Sequence, residues 1–355
     1  MFKYFKYSFL VTIIGLALAY YWGQVHIGGV GIKMALIALF LSILEVTLSF
    51  DNAVVNALRL ERMTKLWQQR FLTWGIIIAV FGMRLLFPLI IVSIFSKKSM
   101  ADVFSMAMTD ITQYSAYLHE AHVPLVTFGG IFLLLIFMSY FFDCEKETLW
   151  IKPIEKLFAF AGHLHAIEII TALFAILAVQ SFLPEENRVP VIISGIGAIL
   201  TFLIINGITE TMEKFAEMKY NAAGTLKLGF IGFLYLELID ASFSFDGLLG
   251  AFAISKDIII ITIGLAIGAM FVRSLTLFMV DKKTLKSYIF LEHGAHWAIG
   301  FLAAVMLIGT KIDVPEWVTG VFSLSIISIA FISSIISNKN TDTTLPEINE
   351  KDCPQ

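Results

Sequence analysis

The chain has 355 residues, of which 58% are hydrophobic and 15% are charged. Ordinary globular chains carry about 25% charged residues, and here the apolar residues come in blocks that are long enough to cross a bilayer. A soluble protein is therefore excluded, and the composition predicts a helical protein that crosses a membrane several times. The net charge of −3 decides little, because the location of charge matters more than its sum in a membrane protein.

Ten apolar segments are predicted to span the membrane. They cover residues 8–27, 34–58, 71–95, 124–142, 158–182, 190–209, 229–254, 258–280, 293–311 and 316–337. The first follows Lys3 and Lys6, as in a signal peptide, but it is long and has no convincing cleavage site, so we expect it to be retained. The polar tail, residues 338–355, is predicted to be disordered.

The distribution of Lys and Arg predicts the orientation of these spans. With the N-terminus inside, 17 of the 25 basic residues fall in inside segments, 6 fall in outside segments, and two lie within spans. Cytoplasmic loops of membrane proteins carry an excess of Lys and Arg. We therefore expect both termini in the cytoplasm.

The second span places polar groups where lipid should be. Glu45, Ser49, Asp51 and Asn52 all lie within residues 34–58. Each charge at the middle of a bilayer costs about 2.5–3.5 kcal/mol on insertion scales, so charges that are kept there usually have a function. Acids paired with Arg to lock helices together are the structural alternative, and a polar site for a cation is the working hypothesis.

The seventh span repeats this pattern. When Asp246 is aligned with Asp51, the numbering shifts by 195. The same shift pairs the flanking residues: Asp240 with Glu45, Ser244 with Ser49, Phe245 with Phe50 and Gly247 with Asn52. Glu237 adds a further acid to this span. An acid and a Ser-Phe-Asp sequence therefore recur at one spacing in two predicted spans.

Two further features follow each acidic span in the same order. An Arg lies inside the next apolar segment, as Arg84 in the third span and Arg273 in the eighth. A His-x-Ala-His sequence comes next, as His119–His122 and then as His293–His296. We interpret the three features as an internal duplication. The His pairs are read equally well as accessory ligands, proton relays or helix caps.

The offset between the copies predicts an inverted repeat. The acidic spans are the second and the seventh, and an odd offset of five makes the copies run in opposite directions. Transporters built this way hold their site near the midplane between the halves. The predicted fold is an all-α polytopic membrane protein with about ten transmembrane helices in two inverted five-helix repeats, residues 1–183 and 184–337.

Helix geometry limits which polar groups face one ion. Residues advance by 100° each on a straight helix. One narrow stripe then holds four polar residues: Glu45, Ser49, Asn52 and Asn56. Asp51 points about 120° away from Glu45 on the same helix. A regular helix therefore cannot aim both acids at one cation.

Two arrangements of the Ser-Phe-Asp acids remain open. Either Asp51 and Asp246 pair with the Arg of the following span, or each helix is interrupted there and its carbonyls face a polar cavity. Gly247 favours an interruption in the second copy, and we favour this arrangement.

The charge and chemistry of the spans favour a hard cation. Five acids and two Arg sum to −3 if all are ionised, which a divalent cation and a proton would nearly neutralise. Carboxylate, amide and hydroxyl oxygens suit Mg²⁺, Ca²⁺ and Mn²⁺. Cys144 and Cys353 both lie in polar segments away from the motif, so neither a disulfide framework nor a thiolate metal site is predicted.

The doubled acidic motif, Arg84 and the Leu291–His296 segment resemble the TerC family of integral membrane proteins, most closely its longer bacterial branch. That family is grouped with LysE-type exporters, and the likeness covers residues 34–310. It implies a metal-ion exporter of the bacterial inner membrane, with Mn²⁺ as the best-supported substrate. The implied metal ligands are Glu45, Asp51, Asn52, Asp240 and Asp246. Gly247 replaces the amide of the first copy, so the halves cannot contribute equal ligands.

We therefore expect export of a divalent cation by alternating access around a midplane acidic site, driven by proton exchange. The cation is the substrate, and no cofactor, enzyme activity or nucleic-acid partner is predicted. The expected partners are the lipid bilayer and the metal ion, and a homo-oligomer stays open. The accessory polar or charge-balancing residues are Ser49, Ser244, Glu237, Arg84, Arg273, His293 and His296.

Three alternatives compete with this expectation. A proton-coupled exporter of a small organic cation or amino acid is the main one, because LysE kinship allows it. A membrane metalloenzyme is disfavoured, because the inverted layout puts the His pairs on opposite faces and no Ser-His or Cys-His nucleophile stands out. A scaffold without transport activity leaves the cost of the buried acids unexplained.

Overall fold

The computed structural model describes residues 2–61, 63–143, 148–164, 166–220, 229–255, 257–281, 288–312 and 314–340. Within these ranges the chain forms α-helices, one π-helical segment and no β-strand, as the apolar segments predict. The helices are α1 Phe2–Val25, α2 Gly31–Leu48, α3 Phe50–Glu61, α4 Lys65–Ile77, α5 Phe87–Ser96, α6 Met100–Thr109, α7 Ile111–Glu120, α8 His122–Phe141, α9 Lys152–Ala161, α10 Ile167–Ser181, α11 Glu185–Tyr220, α12 Phe230–Ile254, α13 Ile258–Asp281, α14 Leu291–Gly309 and α15 Glu316–Asn340.

Seven described helices are long and apolar enough to cross a membrane. They lie in α1, α2, α8, α11, α13, α14 and α15. α10 and the stretch Phe81–Ile94 are shorter apolar helices. A bilayer core needs about 20 apolar helical residues, so the architecture is that expected of a multi-pass helical membrane protein.

The predicted third span contains an irregular helix. α4 leads directly into a π-helical segment, Ile78–Leu86, which leads directly into α5. The N–H of Phe87 donates to the carbonyl of Gly82, five residues earlier, which is the π-helical spacing. Such segments occur frequently at functional sites, and this one carries Arg84.

The prediction of one continuous helix over residues 158–182 is wrong. α9 ends at Ala161, and α10 begins only at Ile167. Ala166 adopts the left-handed conformation, with φ of 58°, which a side chain disfavours and a helix cannot continue. Gly162 follows α9 at the start of the turn. A residue with a side chain would not fit there, because its Cβ would collide with the carbonyl oxygen of Phe142. Local packing therefore ends α9 inside a stretch that is apolar enough to read as one span.

The chain divides into two compact units. Unit 1 consists of Met1–Val126 and Ile205–Val280, and unit 2 of Thr127–Ile204 and Asp281–Gln355. Each unit therefore combines chain from both predicted repeats. The division of the sequence at residues 183 and 184 into two inverted halves stays a prediction.

In unit 1, small residues bring α13 close to its neighbours. The hydroxyls of Ser8 on α1 and Ser274 on α13 lie 2.7 Å apart. Gly264 and Gly268 form a Gly-x-x-x-Gly sequence, and a Cβ at Gly268 would lie 2.5 Å from the Cβ of Glu45. Glycines at this spacing let helix backbones approach closely in membranes. The approach sets the position of Glu45 beside α13.

A hydrophobic cluster holds α3, α4 and α12 together in the same unit. Its buried members are Leu60, Met63, Phe71, Phe233 and Leu236. The cluster fixes the ends of these helices relative to each other, and Phe71 also contacts the polar groups described below.

In unit 2, α14 packs closely on α15. Gly294 lies where a Cβ would collide with that of Ala330, and the N–H of Phe290 donates to Ser334 Oγ at 2.9 Å. The close approach buries the start of α14, which carries His293 and His296.

Candidate functional site

A small buried cavity in unit 1 gathers polar side chains from four helices. Its volume is about 10 Å³, close to the minimum that one water molecule needs. The lining residues are Glu45, Ser49, Asn52, Asn56, Asp240, Ala269, Val272, Arg273 and Thr276. All four members of the predicted polar stripe face this cavity, together with the acid that the repeat pairs with Glu45.

The stripe survives a one-residue interruption of the helix. α2 ends at Leu48 and α3 begins at Phe50. The N–H of Ser49 donates to the Glu45 carbonyl at 2.9 Å, and the N–H of Ala53 donates to the Ser49 carbonyl at 3.1 Å. Hydrogen bonds therefore continue on both sides, and the helical spacing of the polar residues is kept.

The second copy has no interruption. α12 runs unbroken from Phe230 to Ile254, through Asp246 and Gly247. The prediction that Gly247 marks a break is therefore wrong. Glycine costs a helix interior only about 1 kcal/mol relative to alanine, so the flanking apolar turns outweigh it.

The cavity carboxylates are buried and hydrogen-bonded. The side chain of Asn52 donates through Nδ2 to Asp240 Oδ1 at 2.6 Å. Ser49 Oγ donates to Glu45 Oε1 at 3.1 Å. Glu45, Asn52 and Asp240 are 4%, 2% and 6% exposed. Two acids and an amide are thus held at one place by helices that are distant in sequence.

Arg273 is a buried cation that contacts Asp240 and a further acid, Glu237. Its Nη2 lies 3.2 Å from Glu237 Oε1 and 3.5 Å from Asp240 Oδ2. Its Nη1 donates to the carbonyl of Phe71 at 3.3 Å, and its guanidinium lies 4.0 Å from the centre of the Phe71 ring. The guanidinium is therefore held mainly by Glu237 and Phe71, and it reaches Asp240 with a longer contact.

Gly75 on α4 leaves the space that this ion pair occupies. A Cβ at Gly75 would collide with Arg273 Nη1 and would lie 2.8 Å from Glu237 Oε1. Neither Gly75 nor Phe71 is predictable as a site residue from the sequence, because nothing in a local pattern shows which distant side chain a glycine accommodates.

The cavity and its ion pair are acidic overall. Glu45, Glu237 and Asp240 against Arg273 give a net charge of −2 if all are ionised. Within the described residues, no group of three or more His, Cys, Asp or Glu side chains is arranged to hold a metal ion. The amides of Asn52 and Asn56 and the hydroxyls of Ser49 and Thr276 complete the polar lining.

Four predicted site residues have side chains outside the described part of the structure. They are Asp51, Arg84, Ser244 and Asp246. The predicted pairing of Asp246 with Arg273 therefore stays untested, while the described partners of Arg273 are Glu237 and Asp240.

The second His pair lies in unit 2, in a buried cluster of its own. His293 Nδ1 is 3.1 Å from Glu155 Oε2, and its Nε2 is 3.2 Å from Thr148 Oγ1. His296 lies 2.8 Å from the Glu292 carbonyl through Nδ1 and stacks on the ring of Tyr140 at 3.6 Å. His119 of the first pair is exposed. The two copies thus have different surroundings.

Glu155 is a buried acid that the sequence analysis missed. It accepts hydrogen bonds from the N–H groups of Trp150 and Ile151, at 2.9 and 3.2 Å, and from Trp297 Nε1 at 3.3 Å. Burial alone would raise the pKa of its carboxyl. His293 and the two backbone donors outweigh burial and lower the pKa from 4.5 to about 2. Glu155 is therefore a satisfied carboxylate that ties the start of α9 to α14.

Comparison with protein families gives a match that covers residues 50–341. The chain belongs to the family described as "protein of unknown function (DUF475)". The match includes Asn52, Asn56, Asp240 and Arg273, and it begins after Glu45. Neither a curated protein nor a solved structure matches the chain. The DUF475 description assigns no activity, so the resemblance to the TerC family stays a prediction.

Proposed function

We propose that this DUF475 protein is a transporter that exports a divalent cation, Mn²⁺ in the first place, across a bacterial inner membrane. The observation that carries the proposal is the buried cavity between α2, α3, α12 and α13. It collects the carboxylates of Glu45 and Asp240 and the amides of Asn52 and Asn56 inside a helical membrane protein. Acids at such positions are costly, and a cation that passes through the membrane would explain why they are kept.

Charge and ligand type support a divalent hard cation. With all four groups ionised, the net charge of −2 around the cavity matches one divalent ion. Carboxylate and amide oxygens are the ligands that Mn²⁺, Ca²⁺ and Mg²⁺ prefer, whereas no thiolate lines the described cavity to favour a softer metal. The small volume favours an ion that has shed most of its water over an organic cation.

Arg273 is positioned to take part in release of the ion. Its bonds to Glu237 and Phe71 hold the guanidinium in place, while Asp240 lies close enough to be shared between Arg273 and a cargo ion. When the cargo leaves, Arg273 and protons compensate the acids. Alternating access around this site, in ten spans with inverted repeats and both termini in the cytoplasm, completes the proposal.

Transport into liposomes tests the proposal. The purified full chain is assayed with Mn²⁺, Ca²⁺, Mg²⁺ and Zn²⁺ in parallel, with Glu45→Gln and Asp240→Asn as variants and Glu120→Gln, an exposed acid, as matched control. We expect Mn²⁺ transport by the wild type and by Glu120→Gln. The rate of Mn²⁺ transport by each cavity variant should fall at least about tenfold, because one charged ligand of the ion is removed.

A folded wild-type protein that moves none of the four ions would overturn the divalent-cation proposal. Inhibition or exchange by small organic cations or amino acids would then favour the organic-cation exporter. Equal transport by wild type and both cavity variants would place the cation route elsewhere in the chain.

A further inference from the structure

Asn56 lies on α3 one turn beyond Asn52, on the side that faces the cavity. Its side chain is 2% exposed, so its amide has left water almost completely. The amide that hydrogen-bonds Asp240 is that of Asn52, and the candidate ligands from the sequence do not include Asn56. Its role in the cavity is therefore open.

The amide oxygen of Asn56 accepts no hydrogen bond from the described residues, and less than 1 Å² of it is exposed. A buried acceptor that lacks a donor costs about 1–3 kcal/mol, so such groups in native proteins usually meet a water or an ion. One hydroxyl in the lining, Thr276 Oγ1, donates to the carbonyls of Val272 and Ala53 at 2.9 and 3.4 Å. Thr276 is thus committed to the backbone.

The remaining space and charge limit what Asn56 meets. A cavity of about 10 Å³ holds one water-sized guest. If Glu45, Glu237, Asp240 and Arg273 are all ionised, their net charge of −2 favours a cation over a neutral guest. A cation at this place would gain a neutral oxygen ligand in addition to the two carboxylates.

We propose that Asn56 Oδ1 is a direct ligand of the cargo ion and a determinant of its selectivity. This inference rests on the proposed function of the cavity and adds a residue to it. A neutral amide oxygen adds affinity for hard ions such as Mn²⁺ without adding charge, and it offers less to softer ions that prefer sulfur or nitrogen. Asn56 therefore biases the site towards Mn²⁺ and against Zn²⁺.

The test measures binding of Mn²⁺ and Zn²⁺ to the purified full chain in detergent by calorimetric titration. Asn56→Leu removes the oxygen at similar volume, and Asn56→Cys replaces it with a soft ligand. Asn206→Leu is the matched control, because it makes the same change at an exposed asparagine outside the cavity. We expect Asn56→Leu to weaken Mn²⁺ binding by at least about tenfold, with Asn206→Leu near wild type.

For Asn56→Cys that elutes as a folded protein in gel filtration, we expect the Zn²⁺-to-Mn²⁺ affinity ratio to rise by at least about tenfold, because a thiolate in a ligand position favours Zn²⁺. The inference is overturned if Asn56→Leu binds Mn²⁺ like the wild type. If Asn56→Leu does not fold, an unchanged ratio in Asn56→Cys overturns it. A wild type that binds none of the ions defeats the proposed function instead, so the two failures are distinguishable.

Discussion

At the residue scale, the position of Arg273 depends on a glycine. Gly75 has no side chain at the point where the guanidinium meets Glu237, and a methyl group there would collide with Arg273 Nη1. A buried ion pair is stable only while its geometry is kept, because each ion has given up its hydration. Displacing Arg273 would also push its charge towards Asp240 and the cavity.

We expect Gly75→Ala to lower the free energy of unfolding by about 1–3 kcal/mol, since overpacking and loss of the Arg273–Glu237 contact act together. The measurement is the apparent melting temperature in detergent. Gly207→Ala is the matched control, because no atom lies within 4 Å of a Cβ at that helical position. The control should be unchanged or slightly more stable, as alanine favours helices. Equal melting temperatures for the two variants would contradict the role of Gly75.

The residue scale also shows what a sequence can predict about the site. The 100° periodicity correctly puts Glu45, Ser49, Asn52 and Asn56 on one face, because that relation is local. The partners of Arg273 were not predictable in the same way. They depend on how α4, α12 and α13 cross, and no spacing within one helix encodes that crossing.

At the element scale, the two copies of the acidic helix behave differently. The first is interrupted at Ser49, whereas the second continues through Gly247. The third span contains a π-helical segment, while the copy that carries Arg273 is a regular α-helix, α13. The sequence predicts residues at which a helix can be interrupted. Packing determines whether the interruption occurs, so the irregularities of one copy of a repeat need not appear in the other.

The contact between α9 and α14 gives a prediction about pH. The pKa of Glu155 is lower in the folded protein, about 2, than its ordinary value of 4.5. The ionised carboxylate therefore stabilises the fold above pH 4.5, and this contribution is lost as the pH falls towards 2.

We expect Glu155→Gln to melt at a lower temperature than the wild type at pH 7, and the gap to narrow steadily below pH 4.5. Thermal unfolding in detergent between pH 7 and pH 3 measures it. Glu185→Gln, an exposed acid in the same unit, should show little difference at any pH. A gap that is as wide at pH 3 as at pH 7 would mean that Glu155 acts through packing and not through its charge.

At the scale of the whole molecule, the architecture depends on whether the number of membrane crossings is odd or even. In the part of the chain that the structure describes, seven helices are both long and apolar enough to cross a membrane by themselves. The prediction of ten adds the shorter α10, the α4–α5 stretch with its π-helical segment, and α12 with its buried acids. An odd total puts the termini on opposite sides, and an even total puts them on the same side. The inverted repeat also requires that the span numbers of the two acidic helices differ by an odd number, as the second and the seventh do.

Cysteine labelling in intact cells distinguishes an odd number of membrane crossings from an even number. The sequence has two cysteines, Cys144 and Cys353, and both lie in predicted cytoplasmic segments outside the described residues. We expect a membrane-impermeant maleimide to label neither in intact wild-type cells, and to label both after permeabilisation. A Lys3→Cys variant should be protected in the same way, because ten crossings bring the N-terminus to the side of Cys353.

A positive control for labelling comes from the segment between the predicted third and fourth spans, which the predicted orientation places outside the cell. Ser105 is exposed on α6, so Ser105→Cys should react in intact cells. If Lys3→Cys reacts from outside while Cys353 stays protected, the number of crossings is odd and the ten-span inverted repeat is wrong. The site would then need another explanation for its paired acids. The cavity itself would stand, because Glu45, Asn52 and Asp240 meet within unit 1 whatever the topology of unit 2.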